Sequence, residues 1–193
     1  MVPTLYFMRH GETDWNVEAR LQGQRDIPLN DVGRVQAEEA GRKLRDAVAH
    51  PEDLPWLVSP LSRTRETAEI ARDAIGLYPT YYRLDERLKE LTFGDWEGKT
   101  WPELRRTDNA GVDARFADKW SFAPPNGESY AMLCERIGGW LKSVERDSII
   151  VSHGGVARAL FVLRTGMDAA NASDADIWQG KLLIFRGTSA DWI

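Results

Sequence analysis

Leu5-Tyr6-Phe7-Met8-Arg9-His10-Gly11-Glu12-Thr13-Asp14-Trp15-Asn16 begins with four apolar residues and breaks at a cation, an imidazole and a glycine. A short apolar run bounded in this way reads as a buried strand. It leaves an imidazole at the strand's carboxyl end, which in an open α/β sheet is the edge where ligands bind. The guanidinium of Arg9 can hold an anion there through paired, charge-assisted hydrogen bonds. The two side chains together suit a nucleophile set next to a phosphate clamp.

Outward from this stretch, strand-like runs recur at Trp56 to Val58, Tyr81 to Leu84, Ser148 to Ser152 and Leu182 to Phe185. Helical spacing fills most of the intervals. Asn30 is an N-cap for a helix from Asp31 to about Ala47, with Val35, Ala37, Ala40, Leu44 and Val48 on its apolar face. Ser59-Pro60 reads as a cap followed by a first-turn proline, opening a helix toward Ile75 that Gly76 ends. Further helices are expected from about Ser129 to Val144, and from Gly154 or Gly155 to about Arg164. Alternating strands and helices imply a three-layer α/β/α architecture around a mostly parallel, doubly wound sheet.

Thr100 to Glu128 departs from the alternation. It is polar, contains Pro102, Pro124 and Pro125, and has weak helical periodicity. The expectation is a lid-like excursion with short helices at about 100–128 above the sheet edge, within a single domain spanning 1–193.

The net charge of −5 argues against a nucleic-acid or acidic-membrane binder, although a phosphate site needs only a few concentrated cations. No run reaches the roughly 18 apolar residues of a membrane span, and no basic and apolar leader precedes the first strand. The one cysteine, Cys134, cannot form an internal disulfide, which fits a reducing compartment. A cytoplasmic protein with Cys134 as a buried, inert thiol is therefore expected. Oligomeric state has no signal in the sequence.

Three other segments put polar groups just after strand ends. Ser59-Pro60-Leu61-Ser62-Arg63-Thr64-Arg65-Glu66-Thr67-Ala68 follows the second run and enters a helix. Glu90-Leu91-Thr92-Phe93-Gly94-Asp95-Trp96-Glu97-Gly98 follows the third. Ser152-His153-Gly154-Gly155 follows Ile149-Ile150-Val151, its glycines permitting a tight turn. In a doubly wound sheet these loops can converge on one crevice.

With the first stretch and Leu21-Gln22-Gly23 through Pro28-Leu29 and Gly33, these blocks resemble the histidine phosphatase superfamily, the phosphoglycerate-mutase-like group. They occur in that family's order and span Leu5 to about Leu163. The resemblance implies that His10 is a nucleophile forming a phosphohistidine. It implies that Arg9, Arg63 and His153 bind the phosphoryl oxygens. Asn16 and the Gly154 amide would be additional donors, and Gln22 would contact the phosphate or the leaving group. Glu90 would protonate the leaving alkoxide and then deprotonate the attacking water. No metal or organic cofactor is implied, and the expected partner is a small phosphomonoester.

Other readings stand beside these. His10 could be a structural histidine satisfied by backbone. Arg65 could be a solvated helix charge beside Glu66 or Glu69, and Arg25 could pair with Asp26 or Glu12. Glu86 and Glu97 are rivals of Glu90, and Trp96 and Trp101 are candidates for pocket walls. His50, in a polar stretch, has no role. A metal site of His10, His153 and Glu90 conflicts with two guanidiniums aimed at the same point.

Within the resembled family, mutases have a tyrosine three residues after the glutamate, where this chain has Phe93, and a lysine where it has Trp101. Their Arg-Arg-Ser-aromatic stretch is echoed only by Arg105-Arg106-Thr107-Asp108. The sequence therefore favours a phosphatase over a cofactor-dependent phosphoglycerate mutase. It favours a non-catalytic phospho-ligand binder or scaffold least, because His10, Arg9, Arg63, Glu90 and His153 are all present.

Overall fold

The computed structural model describes residues 2–193. Its strands are β1 (Leu5–Arg9), β2 (Trp56–Val58), β3 (Arg83–Leu84), β4 (Ser148–Ser152), β5 (Leu183–Arg186) and β6 (Ser189–Trp192). The helices are α1 (Asp14–Val17), α2 (Asp31–Ala47), α3 (Ser62–Asp73), α4 (Trp101–Thr107), α5 (Asn109–Ala117), α6 (Tyr130–Leu141), α7 (Gly154–Leu160) and α8 (Ala169–Asp174). One sheet runs in the order β3-β2-β4-β1-β5-β6. β3, β2, β4 and β1 are parallel, in register Phe7↔Ile150 and Leu57↔Ile150. β5 is antiparallel to β1 and to β6.

Four strands thus satisfy the parallel expectation, and the edge carrying β5 and β6 does not. The β5–β6 link is a tight turn with Gly187 at φ 54°, and a link that short can join only antiparallel neighbours. The run at Tyr81 to Leu84 contributes just two paired residues, both exposed, because it sits on the sheet's edge.

The period-2 alternation of the strands builds two cores. Leu5, Phe7 and Ile150 face the side covered by α6 and α7, packing with Leu133, Ile137, Trp140 and Leu160. Met8, Ile149 and Val151 face the other side, with Ala40 and Leu44 of α2 and Ala68 and Ala71 of α3. Every residue of β4 is buried, as suits a central parallel strand.

The N-cap of α2 is Asn30, whose side chain accepts from the Gly33 N–H. A Cβ on Gly33 would stand 2.1 Å from the Glu12 carbonyl, so only glycine lets α2 start against the turn that follows β1. The cap expected at Ser59-Pro60 is displaced. α3 begins at Ser62 after Leu61, and Asp26 Oδ1, reaching across from another loop, accepts the Ser62 N–H at 2.6 Å. α6 stops at Leu141, short of Val144. α7 continues into a π-helical turn at Phe161–Thr165, closed by Gly166 at φ 72°.

The excursion holds two short helices, α4 and α5. Thr100 and Glu103 form a capping box on α4, and Asp108 caps α5 through the Gly111 N–H. Trp96, Leu104 and Val112 form a third, small apolar cluster beneath them. Its periodicity is weak in the sequence because each helix buries so few residues. No helix among the described residues is long and apolar enough to cross a membrane.

Candidate active site

The carboxyl end of β1, the start of α3 and the loop that carries Glu90 meet at a cavity of about 150 Å³ lined by Arg9, His10, Asn16, Gln22, Arg63 and Glu90, among others. Larger concavities, of about 450 and 900 Å³, lie elsewhere. Neither is lined by a histidine, and neither gathers cations around a carboxylate as the smaller cavity does.

His10 is 3% exposed, and its Nδ1 lies 2.8 Å from the Gly11 carbonyl oxygen. A carbonyl can only accept, so Nδ1 carries the proton and Nε2 keeps its lone pair. Burial, then the charges of Arg63 and Arg9, hold the imidazole well below the ordinary histidine range. His153 stands beside it with ring centroids 5.3 Å apart, likewise kept neutral mainly by burial. Its Nε2 meets Ser59 Oγ at 2.7 Å, while its buried Nδ1 has no partner. With the serine hydroxyl donating to Nε2, Nδ1 is an N–H donor.

The two arginines are fixed by backbone carbonyls. Arg9 Nη1 donates to Ile177 at 2.7 Å. Arg63 donates from Nη1 to Arg25 at 2.7 Å and from Nη2 to Gly23 at 2.8 Å. The Nε of each is buried and unpartnered. Burial pushes Arg63 down to about 10, against the opposing pull of Glu90 and Asp26. Buried donors normally find acceptors. Arg9 Nε, Arg63 Nε and His153 Nδ1 are therefore three donors suited to one oxyanion next to the His10 lone pair.

Asn16 Oδ1 is occupied by the Thr13 N–H and hydroxyl, both at 3.1 Å, and by Gln179 Nε2 at 3.3 Å. Its Nδ2 is left as the end available to a ligand. Gln22 is buried with Oε1 unpartnered, and turning its amide by half a turn presents an NH₂ at the same point. Gly154 is buried, and a Cβ on it would lie 3.8 Å from Arg9 Nε. Its N–H, in the first turn of α7, lacks an intrahelical acceptor.

Glu90 accepts the Gly155 N–H on Oε2 and the Leu91 N–H on Oε1, both at 3.0 Å. Its rivals are elsewhere. Glu86 is exposed and paired with Lys89. Glu97 is a half-buried clamp: it accepts from the Gln24 N–H at 2.9 Å, Thr92 Oγ1 at 2.8 Å and the Phe93 N–H at 3.2 Å. Arg25 also pairs with Glu97, at 3.4 Å, rather than with Asp26 or Glu12.

The walls differ from expectation as well. Trp96 is fully buried and spends its Nε1–H on Asp108, and neither it nor Trp101 lines the cavity. Phe93 and Tyr130 do. Cys134 is half-buried rather than buried, with its thiol pushed up by desolvation. Arg65 and His50 are exposed. Ser59, Tyr130, Arg158 and Gln179 were not singled out by sequence reasoning for this site. Arg158 had a readable signal, four residues after Gly154 and so on the same helix face. Gln179 had none.

A model of the histidine phosphatase superfamily (branch 1) matches residues 5–193. A protein named probable phosphoglycerate mutase GpmB, from Erwinia tasmaniensis, is 36% identical over 78% of this chain and 69% of its own length. Glucosyl-3-phosphoglycerate phosphatase of Mycobacterium tuberculosis is 31% identical over 86% of this chain and 77% of its own. The solved structure of Bacillus stearothermophilus YhfR superposes with a TM-score of 0.77 at 33% identity, covering 94% of this chain and 90% of that one. Five ordered sequence blocks, the sheet they sit on and the full-length match lead to one conclusion: the chain belongs to the histidine phosphatase superfamily.

Proposed function

We propose that the protein hydrolyses phosphomonoesters of small metabolites through a phosphohistidine at His10 Nε2. The observation that carries this reading is the Gly11 carbonyl on His10 Nδ1, which leaves Nε2 as a neutral nucleophile inside a cationic cavity. The lone pair of Nε2 forms the P–N bond as the P–O bond to the leaving group breaks. Arg9, Arg63 and His153 hold the equatorial oxygens, with Asn16, Gln22 and the Gly154 N–H as further donors. Glu90 gives its proton to the departing oxygen and then takes one from water. That water attacks phosphorus, the P–N bond breaks, and inorganic phosphate leaves with His10 neutral again. The reading extends to a cytoplasmic location, supported by the single cysteine.

The similarity to a mutase-named relative favours a second reading, transfer of the phosphoryl group back to a hydroxyl. Phe93, which lines the cavity without a hydroxyl, supports hydrolysis instead. Phosphate release from a phosphomonoester panel in the presence of a chelator tests both, with His10→Ala as control. Release abolished in His10→Ala, with a ³²P label trapped as an acid-labile, base-stable adduct in wild type, is expected. Interconversion of 2- and 3-phosphoglycerate primed by 2,3-bisphosphoglycerate, without net release, would overturn hydrolysis.

A further inference from the structure

The chain between α8 and β5, residues 175–182, touches three residues of the cavity lining. The Ile177 carbonyl accepts from Arg9 Nη1 at 2.7 Å, and two residues later Gln179 Nε2 donates to Asn16 Oδ1 at 3.3 Å. The Ala175 carbonyl accepts from the Nε of Arg158 at 3.1 Å, while Arg158 Nη1 donates to the Tyr130 hydroxyl at 3.3 Å. Arg63 is held from a different loop, by the carbonyls of Gly23 and Arg25. The two arginines of the clamp are thus set independently, whereas Arg9 and Asn16 are set by one stretch of chain.

That stretch is itself pinned on both sides of the sheet. Ile177 is buried in the core under α6 and α7. The ring of Trp178 packs on Trp192 of β6 with centroids 5.0 Å apart, and Lys181 Nζ stands 4.3 Å from its centre. Gly180 has φ 69°, and a Cβ there would lie 3.2 Å from Glu39 Oε2 and 3.3 Å from Gln36 Cβ, both on α2. Asn16 has less to hold it. It belongs to α1, which is four residues long, and the Thr13 N–H and hydroxyl that meet its Oδ1 are the cap of that same turn. A helix so short is not stable alone. Thr13 therefore orients the amide within its own turn. Among the described residues, the side-chain hydrogen bond that Asn16 makes outside that turn goes to Gln179.

We infer that Gln179 is a positioning residue for phosphoryl transfer, which holds the Asn16 amide in fixed register with the Arg9 side of the clamp. The inference rests on the hydrolase reading above, in which Asn16 and Arg9 share the phosphoryl oxygens. Those oxygens flatten into one plane as phosphorus passes from the leaving oxygen to His10 Nε2. A donor already standing where they arrive needs no reorganisation at that moment, and a misplaced one slows the step. Without Gln179, Asn16 keeps the orientation that Thr13 gives it and loses its register with Arg9.

The test is a double-mutant cycle on kcat/KM for p-nitrophenyl phosphate. Gln179→Met keeps the length of the side chain and removes its donor. In the wild-type background it should lower kcat/KM by about tenfold, the upper range of one hydrogen bond. In an Asn16→Ala background the same change should stay within about twofold, because the residue through which Gln179 acts is gone. Equal losses in the two backgrounds would make Gln179 a structural residue only, and no loss in wild type would leave it without a role. Either result overturns the inference.

Nitrogen-15 spectra read the same tie without turnover. The side-chain NH₂ resonance of Asn16 should shift in Gln179→Met while the backbone resonances of β4 stay in place, a pattern that general loosening of the fold does not give. An unmoved Asn16 resonance would overturn the inference. If Gln179→Met fails to fold, wild type carries the test. Orthovanadate, a mimic of the trigonal phosphoryl group, should shift the side-chain NH₂ resonances of both Asn16 and Gln179, and a Gln179 resonance that stays put would overturn the tie. Both shifts without any hydrolysis would overturn the hydrolase reading and leave the coupling of Gln179 to Asn16 standing.

Discussion

Ser59 and His153 are 94 residues apart in the chain and 2.7 Å apart in space. The contact decides which nitrogen of His153 can face an oxyanion. Ser59→Ala removes the hydroxyl and leaves Nε2 buried without a partner, at a cost of about 1–3 kcal/mol. Urea unfolding should show that loss, and kcat should fall by about 10-fold or more as the tautomer is freed. An unchanged kcat would show that the serine is structural only. The two imidazoles also make a pH prediction. Both are held well below the ordinary value by burial first and by neighbouring charge second. As pH falls below about 6.5, the unfolded chain takes up protons that the folded protein refuses. Their contribution to stability is therefore present above that pH and is lost on acidification, at up to about 1.4 kcal/mol per pH unit for each imidazole. Unfolding free energies measured from pH 7 to 5 should fall more steeply for wild type than for a His10→Gln/His153→Gln variant. Parallel slopes would refute the assignment.

At the scale of elements, loops are brought together by half-buried carboxylates that accept backbone N–H groups. A Cβ on Gly155 would stand 2.2 Å from Glu90 Oε1, so a larger residue there has to push the carboxylate aside. Gly155→Ala should displace the carboxylate and lower kcat for alkyl phosphates by about 100-fold, the range of a lost general acid. p-Nitrophenyl phosphate, whose leaving group needs no proton, should lose far less. Equal losses on the two substrates would place the damage in folding rather than in proton transfer. Glu97 joins the 22–25 loop to the 90–93 loop in a similar way, and the carbonyls of Gly23 and Arg25 in turn hold Arg63. β1, α2 and β4 were legible in the sequence because apolar period and caps are local signals. α4 and α5 were legible only as short helices without bounds, and β6 was not legible at all. The two helices bury too few residues to show a period, and β6 is an exposed edge whose pairing depends on β5.

Across the whole molecule, the two cores on the faces of the sheet are extensive, and the third, under α4 and α5, is small and separate. Regions with few buried apolar contacts open at lower free energy than the global transition. Hydrogen exchange should therefore find α4 and α5 less protected than β1 and β4. Leu104→Ala, costing about 2–5 kcal/mol at a fully buried position, should lower protection in residues 100–122 selectively. A uniform loss of protection would mean that the excursion unfolds only with the sheet. The sequence by itself determined the central strands, the order of the loops at their carboxyl ends, and the histidines, arginines and glutamate those loops present. Periodicity, capping and glycine placement are properties of neighbouring residues, so they can be read in one dimension. Tertiary structure alone decided that the lone pair of His10 is on Nε2, and that Glu97 is a clamp while Glu90 sits in the cavity. It also decided that Arg158 faces the cavity without a carboxylate. Each of these depends on desolvation and on partners far away in the chain, which only the packed fold brings within hydrogen-bonding distance.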